Sequence, residues 1–217
     1  MRDLARKLMQ LVRSRTTHIL SVESLTARQH GVRFKCNQVK RLTAETIDQM
    51  ALPEDVAFAI KTNVAVIATL STQIDLLEKR LQERIAQRPE YELLTSVPGI
   101  GRVLATTILL GAGPIDRFAA PSNFASYARC VDSVRTSNGK KKGEGNTKNG
   151  NKYLAWAFVE AANFALRYCA EAKRFYERKK ARTNNVVVIK ALAHKLVRAC
   201  FHILKERKPF DVTRCFA

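Results

Sequence analysis

One stretch near the middle of the chain, Leu93–Gly111, constrains the fold most, because helical apolar spacing flanks a Val97-Pro-Gly-Ile-Gly101 turn. The two glycines supply the backbone freedom that a short turn between helices needs. The N-terminus of the second helix favours an anion beside that turn. The pattern therefore predicts a helix-hairpin-helix unit that contacts the phosphates of nucleic acid through Pro98, Gly99, Gly101 and Arg102. A helical hairpin in an apolar core is the alternative interpretation.

The charge of the chain indicates the kind of partner. Its 217 residues include 38 Lys and Arg against 19 Asp and Glu, a formal net charge of +19. Such an excess is unusual for a metabolic enzyme and implies a polyanionic partner. No uncharged run approaches the roughly 18 apolar residues of a membrane span, so we expect nucleic acid and no membrane. The N-terminus mixes charges and has no apolar signal core, so we also expect a cytoplasmic protein.

Helical periodicity predicts a mainly α fold in two parts. Residues 1–88 form a basic, coiled-coil-like segment, whose first helix covers residues 3–28 and is closed by Gly31. Residues 89–217 form a compact helical domain, with a short helix from Pro121 and long helices at 153–176 and 186–204. No segment alternates cleanly enough to predict a strand.

A heptad begins at Val56 and places Ile60, Ile67, Ile74 and Leu81 at one seam position. The other seam position holds Val56, Leu70 and Leu77, with Asn63 as the exception. This repeat predicts a long helix over 56–84 that pairs with the first helix or with another copy of the chain. An antiparallel hairpin within one chain and a homo-oligomer through residues 56–84 are both open.

Residues 132–151 hold four of the nine glycines and no apolar periodicity. We expect a long polar loop between helices, and such loops are usually functional or disordered. A serine in it could attack a phosphodiester while neighbouring cations hold the phosphate. A passive phosphate-binding loop is the alternative. The basic residues expected to contact nucleic acid here are Arg135, Lys140, Lys141, Lys142 and Lys148.

The five cysteines are widely spaced, and none forms the close pair of a zinc ribbon or a redox motif. We expect reduced thiols in or near the core. His194, Cys200 and His202 lie on one predicted helix, but their spacing does not bring three ligands to one face, so no metal site is predicted.

Several motifs in order carry a family resemblance over about residues 1–211. The chain resembles the insertion-sequence 110 family of transposases, and the resemblance is most specific in the polar loop. The matching segments are Ser137-Asn-Gly-Lys140, Thr147-Lys-Asn-Gly-Asn151, Tyr153-Leu154, Glu160-Ala-Ala162, Val97-Pro-Gly-Ile-Gly101, Arg117-Phe118, Ala193-His-Lys-Leu196, Phe210-Asp211, Arg2-Asp-Leu and Leu11-Val-Arg-Ser-Arg-Thr.

The resemblance implies a DNA recombinase that moves an insertion element. The family joins an N-terminal RNase H-like domain, with acidic metal ligands, to a C-terminal domain whose nucleophilic serine bonds covalently to DNA. Ser137 matches that serine, while Asn138 stands where the family often has a small residue. Family members act as oligomers guided by a structured RNA, which makes DNA and a guide RNA the implied partners.

This chain begins directly in the basic helix, so we expect a truncated or split transposase that lacks the acidic domain. No cofactor is then expected within the chain, and the divalent metal, Mg²⁺, belongs to the acidic domain. On its own the chain should be inactive. A non-catalytic nucleic-acid-binding remnant or regulator is the alternative function. A helix-hairpin-helix DNA glycosylase is a weaker one, since only Asp116 and Asp132 lie at a loosely suitable distance from the turn.

Overall fold

A computed structural model describes residues 1–131, 134–144 and 149–216, without the side chains of residues 30, 134, 135, 141 and 144. Within these residues the fold is mainly α, which confirms the prediction. The helices are α1 (Arg2–His30), α2 (Cys36–Val39), α3 (Ala44–Asp48), α4 (Glu54–Ile85), α5 (Pro89–Thr95), α6 (Arg102–Ala112), α7 (Pro121–Tyr127), α8 (Lys152–Tyr168), α9 (Ala170–Lys180), α10 (Asn185–Glu206) and α11 (Val212–Phe216), with a 3₁₀ turn at Ile115–Arg117. The strands are β1 (Val134–Ser137) and β2 (Lys140–Glu144).

Internal contacts divide the chain into two compact units, Met1–Glu83 and Arg84–Ala217. The sequence-based boundary lies between residues 88 and 89. In the first unit, α1 ends at Gly31, whose φ of 67° is the left-handed conformation that a glycine adopts without strain.

The first unit is built on antiparallel pairing of α1 and α4. His18 Nδ1 donates to Asn63 Oδ1 at 2.8 Å, and Arg15 donates to Ser71 Oγ at 3.2 Å. Because the α4 partner moves from 71 to 63 as α1 advances, the helices run in opposite directions. Asn63, the exception in the heptad, thus forms a polar cross-link, and such a link fixes helix register.

The heptad seam of α4 is used within the chain. Ile60 and Ile67 are buried in one cluster with Ile19 and Val22 of α1, and α2 and α3 add Val39 and Ile47 to that cluster. Ile74 and Leu81, which occupy the same seam position further along α4, are also buried. Of the two pairings that the heptad left open, the hairpin within the chain is therefore present, and the homo-oligomer stays a prediction.

By length and composition alone, α4 could cross a membrane, and it is the one described helix of which this is true. Its seam is buried in the first unit, while Phe58 and Leu76 are 72% and 57% exposed. These exposed side chains are the surface that a second copy of the chain would have to cover.

Helix α10 is the centre of the second unit. It packs against α5, α7, α8, α9 and α11. Leu192, Leu196, Val197 and Cys200 of α10 are all at most 1% exposed. These helices therefore pack around α10, and α6 packs on α5 and α8.

Two predicted features of this unit are wrong. The polar segment contains an antiparallel pair of strands rather than only loop. The helix predicted over 153–176 is two helices, because Cys169 adopts an extended conformation with φ −135° and ψ 114°. Its Sγ accepts from the Ala172 N–H at 3.5 Å and caps α9. No proline or glycine lies at this break. The helical spacing of apolar residues therefore predicted one continuous helix.

All five cysteines are free thiols. Burial raises the pKa of the Cys130 thiol to about 12 and also raises that of Cys169 and Cys200. These three are protonated at neutral pH and hence poor nucleophiles. Cys36 is exposed, contrary to the expectation that all five lie in or near the core.

Exchanging Ile67 for Asp is expected to unfold the first unit, because the side chain is 3% exposed and its charge would have no partner. Leu76→Asp is the matched control on the exposed side of α4 and should keep the helical content of the wild type by circular dichroism. Equal loss of helix in both variants would contradict the pairing. The same control tests the homo-oligomer, since sedimentation should show an oligomer for the wild type and a monomer for Leu76→Asp. A monomeric wild type would exclude association through this face.

Candidate nucleic-acid interface

The polar segment forms a β-hairpin whose tip carries Ser137. The strands β1 and β2 are joined by Asn138 and Gly139, whose φ angles are 51° and 72°. Positive φ at both central residues defines a type I′ turn, and Asn-Gly is its preferred sequence. Asn tolerates this conformation better than most residues with a side chain. Asn138 therefore fits the loop geometry although the family often has a small residue there.

Ser137 and Lys140 face each other across this turn. They are paired positions in the register of the hairpin, and both are exposed. Directly opposed residues have Cβ atoms about 4.5–5.5 Å apart. The hairpin thus places an exposed serine and an exposed lysine at paired positions of its tip.

A bulge separates the tip from the rest of the hairpin. Arg135 pairs with Gly143, but Thr136 pairs with Lys141, which leaves Lys142 as an extra residue in β2. Bulges bend a strand and increase its twist. The exposed Lys142 therefore does not follow the regular alternation of side chains between the two faces of β2.

The base of the hairpin is held by α7, α8 and α10. On the incoming side, His194 of α10 donates from Nδ1 to the Cys130 carbonyl at 2.9 Å. On the outgoing side, Arg129 donates to the carbonyls of Asn149 and Gly150 at 2.6 and 3.3 Å. Both ends of the polar segment are therefore fixed although its tip is exposed.

Asn151 makes the deepest of these attachments. Its backbone N–H donates to the Tyr127 carbonyl at 2.7 Å, and its Oδ1 accepts from the N–H groups of Tyr153 and Leu154. Its Nδ2 donates to the Gly111 carbonyl at 3.3 Å. One buried residue thus caps α8 and joins it to α6 and α7.

The Asn149-Gly-Asn151 motif consequently has an anchoring role that sequence reasoning did not assign. Gly150 has a φ of 78°, and a Cβ there would lie 2.6 Å from the Tyr127 carbonyl oxygen. The available signal was an asparagine directly before a helical pattern, which is a favoured N-cap. Nothing in the sequence indicated that His194, 64 residues away, holds the other end.

The predicted turn between α5 and α6 is present in a compact form. The Ile100 N–H donates to the Val97 carbonyl at 3.0 Å, and Gly99 has a φ of 90°. Proline followed by a glycine of positive φ is the preferred sequence of a type II turn. Val97 and Ile100 are buried on either side of it.

Gly99 packs on helix α8. A Cβ at this position would lie 2.4 Å from the Ala161 carbonyl oxygen and 2.5 Å from the Ala165 nitrogen. The absence of a side chain at Gly99 therefore lets the turn pack closely against the backbone of α8. Its assignment to a phosphate contact stays a prediction, as does the helix-hairpin-helix assignment.

Gly101 and Arg102 form the open part of this turn. Gly101 is the N-cap of α6, and no side chain caps the helix. No heavy atom lies within 4 Å of a Cβ built on Gly101, and Arg102 is exposed. The uncapped N–H groups and the helix dipole would stabilise an anion here.

The predicted contact residues therefore fall into two groups. Pro98, Gly99, Gly101 and Arg102 belong to the α5–α6 turn, while Ser137, Lys140 and Lys142 belong to the hairpin. The side chains of Arg135 and Lys141 and the whole of Lys148 lie outside the described residues, as do Asp132, Ser133 and Thr147. The described residues contain no cluster of three or more His, Cys, Asp or Glu placed to hold a metal ion.

Comparison with known proteins gives one family match. Residues 91–177 match the model described as Transposase IS116/IS110/IS902 family. A protein of Pseudomonas aeruginosa named "Probable family 20 transposase" is 26% identical over 145 residues, which cover 64% of this chain and 43% of that protein. A Streptomyces coelicolor protein, "Insertion element IS110 uncharacterized 43.6 kDa protein", is 25% identical over 131 residues, which cover 60% of this chain and 32% of that protein. The chain matches less than half the length of these relatives.

The Gly99 contact can be tested by a pair of alanine variants. Gly99→Ala is expected to lower the free energy of unfolding by at least about 2 kcal/mol, because it adds a clash with α8 to an unfavourable φ. Gly101→Ala meets open space and should cost less than about 1 kcal/mol, the scale of a changed N-cap. Urea denaturation followed by the fluorescence of Trp156 in α8, the single tryptophan, measures both. Equal stability of the two variants would contradict the contact.

Proposed function

Through residues 91–177 this chain belongs to the IS116/IS110/IS902 transposase family, and we propose that it binds DNA and joins or exchanges strands with Ser137 as the nucleophile. The observation that carries the proposal is the position of Ser137. It is exposed at the tip of a β-hairpin, opposite Lys140, on an arm whose base is fixed in the family domain.

The proposed chemistry is a transesterification. Ser137 Oγ loses its proton and forms a bond to phosphorus, and the bond from phosphorus to one deoxyribose oxygen breaks. The released oxygen takes up a proton, so one phosphodiester replaces another and the DNA is held covalently. Attack by a second DNA hydroxyl reverses these steps and joins the new strand.

The charges around Ser137 support this role. The phosphorane-like transition state carries more negative charge on its oxygens than the starting phosphodiester, and a nearby ammonium stabilises that charge. Lys140 lies at the paired position, and Lys142 at the bulge follows it in β2. The glycine of the turn leaves room for a phosphate to approach.

A serine hydroxyl is a weak nucleophile at neutral pH and needs a base or a metal to activate it. The resemblance assigns activation to an acidic RNase H-like domain holding Mg²⁺, and the partner DNA, the guide RNA and assembly through residues 56–84 are likewise proposals. A cytoplasmic location follows from the same family assignment. The second candidate, a non-catalytic nucleic-acid-binding regulator, is favoured by the open α6 N-terminus, which binds anions without any chemistry.

Binding of duplex DNA should depend on the hairpin lysines. Each phosphate contact contributes about 0.9 to the slope of log K against log salt, so Lys140→Ala/Lys142→Ala should flatten the slope by about 1.8. The loss should be similar for all sequences, because phosphates carry no sequence information. Lys173→Ala/Lys180→Ala removes the same charge from α9 and should leave the slope unchanged. Filter binding over a salt series measures both, and equal slopes would exclude a phosphate contact at the hairpin.

The catalytic proposal is tested by trapping the covalent intermediate. The chain is mixed with a polypeptide carrying the acidic domain of a family member, Mg²⁺ and insertion-element DNA, and a protein-DNA adduct is sought by denaturing electrophoresis. Ser137→Ala should abolish the adduct, whereas Thr136→Ala on the same strand should leave it largely intact. An adduct that persists in Ser137→Ala would refute the assignment. DNA binding with no adduct under any condition would favour the regulator.

A further inference from the structure

A large cleft lies between α9, α10 and the C-terminal segment that includes α11. Its volume is about 1170 Å³, above the range of roughly 300–1,000 Å³ typical of small-molecule pockets. Residues 129–131, at the base of the hairpin, line part of it. The cleft is thus continuous with the attachment of the hairpin but separate from its tip.

The walls of the cleft are strongly basic. Seven Lys or Arg residues line it against two acidic residues, Glu206 and Asp211. Both acids bind Arg214: Glu206 accepts two bonds of 2.7 Å from its guanidinium, and Asp211 accepts from its backbone N–H at 3.1 Å. These bonds lower the pKa of the Glu206 carboxyl to about 2, so it stays ionised and neutralised by Arg214.

The uncompensated charge lies along α10. Lys190, His194 and Arg198 are spaced four residues apart and therefore share one side of the helix. Lys190 and Arg198 are exposed, and neither has an ion pair among the described residues. Two like charges two helical turns apart on one side of α10, neither in an ion pair within the described residues, favour a bound polyanion.

Apolar and aromatic side chains complete the cleft. Phe210 is half-buried in its wall, and no ring contact involves it in the described part of the chain. Val186 and Val187 at the start of α10 are 66% and 43% exposed and also line the cleft. Cations that follow a backbone, together with a ring on which a base can stack, are the usual composition of a single-strand binding groove.

We propose that this cleft binds a single-stranded segment of nucleic acid, with Lys190 and Arg198 on its phosphates and Phe210 against a base. The inference rests on the proposed nucleic-acid function and names the form of the ligand. A duplex is read by elements that protrude into its grooves, whereas a concave basic cleft accepts one extended strand. DNA and RNA strands share this chemistry.

The wall opposite α10 is held in place before any strand binds. Besides the Arg214–Glu206 pair, Lys195 donates to the Cys215 carbonyl at 2.9 Å, and the rings of Phe175 and Phe216 lie 6.2 Å apart. These contacts fix α11 against α9 and α10. A preformed cleft loses less conformational entropy on binding than one that must be assembled.

Fluorescence anisotropy with labelled 12-nucleotide single strands of DNA and of RNA, and with a 20-base-pair DNA duplex, tests the proposal on the full chain. Lys190→Ala/Arg198→Ala should reduce the single-strand salt slope by about 1.4, because each phosphate contributes about 0.7. Phe210→Leu preserves an apolar side chain and should weaken single-strand binding about fivefold or more, the lower end for loss of base stacking. Duplex affinity should change little in both variants. If the cleft variants lose more affinity for one single-stranded probe, DNA or RNA, that nucleic acid is the preferred ligand.

Two control variants keep the outcomes distinct. Lys173→Ala/Lys180→Ala removes the same charge outside the cleft and should leave single-strand binding unchanged, and the hairpin variant Lys140→Ala/Lys142→Ala should weaken the duplex more than the single strand. If the cleft and α9 variants lose single-strand affinity equally, or if Phe210→Leu has no effect, the cleft proposal fails while the function proposed for Ser137 stands. If the wild type binds none of the three probes, both proposals fail.

Discussion

The second unit depends on the hydrogen bonds of one buried side chain, the amide of Asn151. Its oxygen satisfies the first N–H groups of α8, its nitrogen satisfies the last turn of α6 at Gly111, and its backbone N–H binds the end of α7. These partners are sheltered from water, so loss of the amide would leave several polar groups without partners, each costing about 1–3 kcal/mol. The same residue ends the polar segment. The packing of α6, α7 and α8 is therefore joined at one residue.

The chain on both sides of the hairpin is attached to the helices of the second unit. A two-stranded hairpin is marginally stable by itself in water, and β1 and β2 pair only with each other in the described structure. The described residues on either side of the hairpin are held by Arg129, Asn151 and His194.

Local signals in the sequence predicted most helices. Gly31 and Pro121 bound α1 and α7, and the heptad predicted α4 together with the buried seam that pairs with α1. The hairpin was missed although Asn138-Gly139 is a strong turn signal, because lysine and glycine replace the apolar alternation that usually identifies strands. The break at Cys169 depends on a thiol cap, for which no composition rule exists.

The candidate site residues were chosen from the sequence, but the contacts that place them in the structure could not be. Ser137 and the neighbouring lysines could be chosen from the loop and the family motif, and Gly99 from its turn. That Gly99 packs on α8, or that His194 binds the Cys130 carbonyl, depends on contacts between residues 62 to 66 positions apart. The basic cleft likewise requires three helices to meet. Spacing along α10 placed its cations on one side, but only packing decides what that side faces.

The contact of Gly99 with α8 means that this helix sets the distance between two contacts along its length. The α5–α6 turn touches α8 at Ala161, and the polar segment ends at the N-cap of the same helix, Asn151. Ten residues of α-helix span about 15 Å, close to the length of four or five base pairs at 3.4 Å each. An α-helix is stiff, so the number of residues between Asn151 and Ala161 sets the distance between these two contacts. One residue inserted in α8 between Asn151 and Ala161 would also rotate one contact by about 100° around the helix axis relative to the other contact.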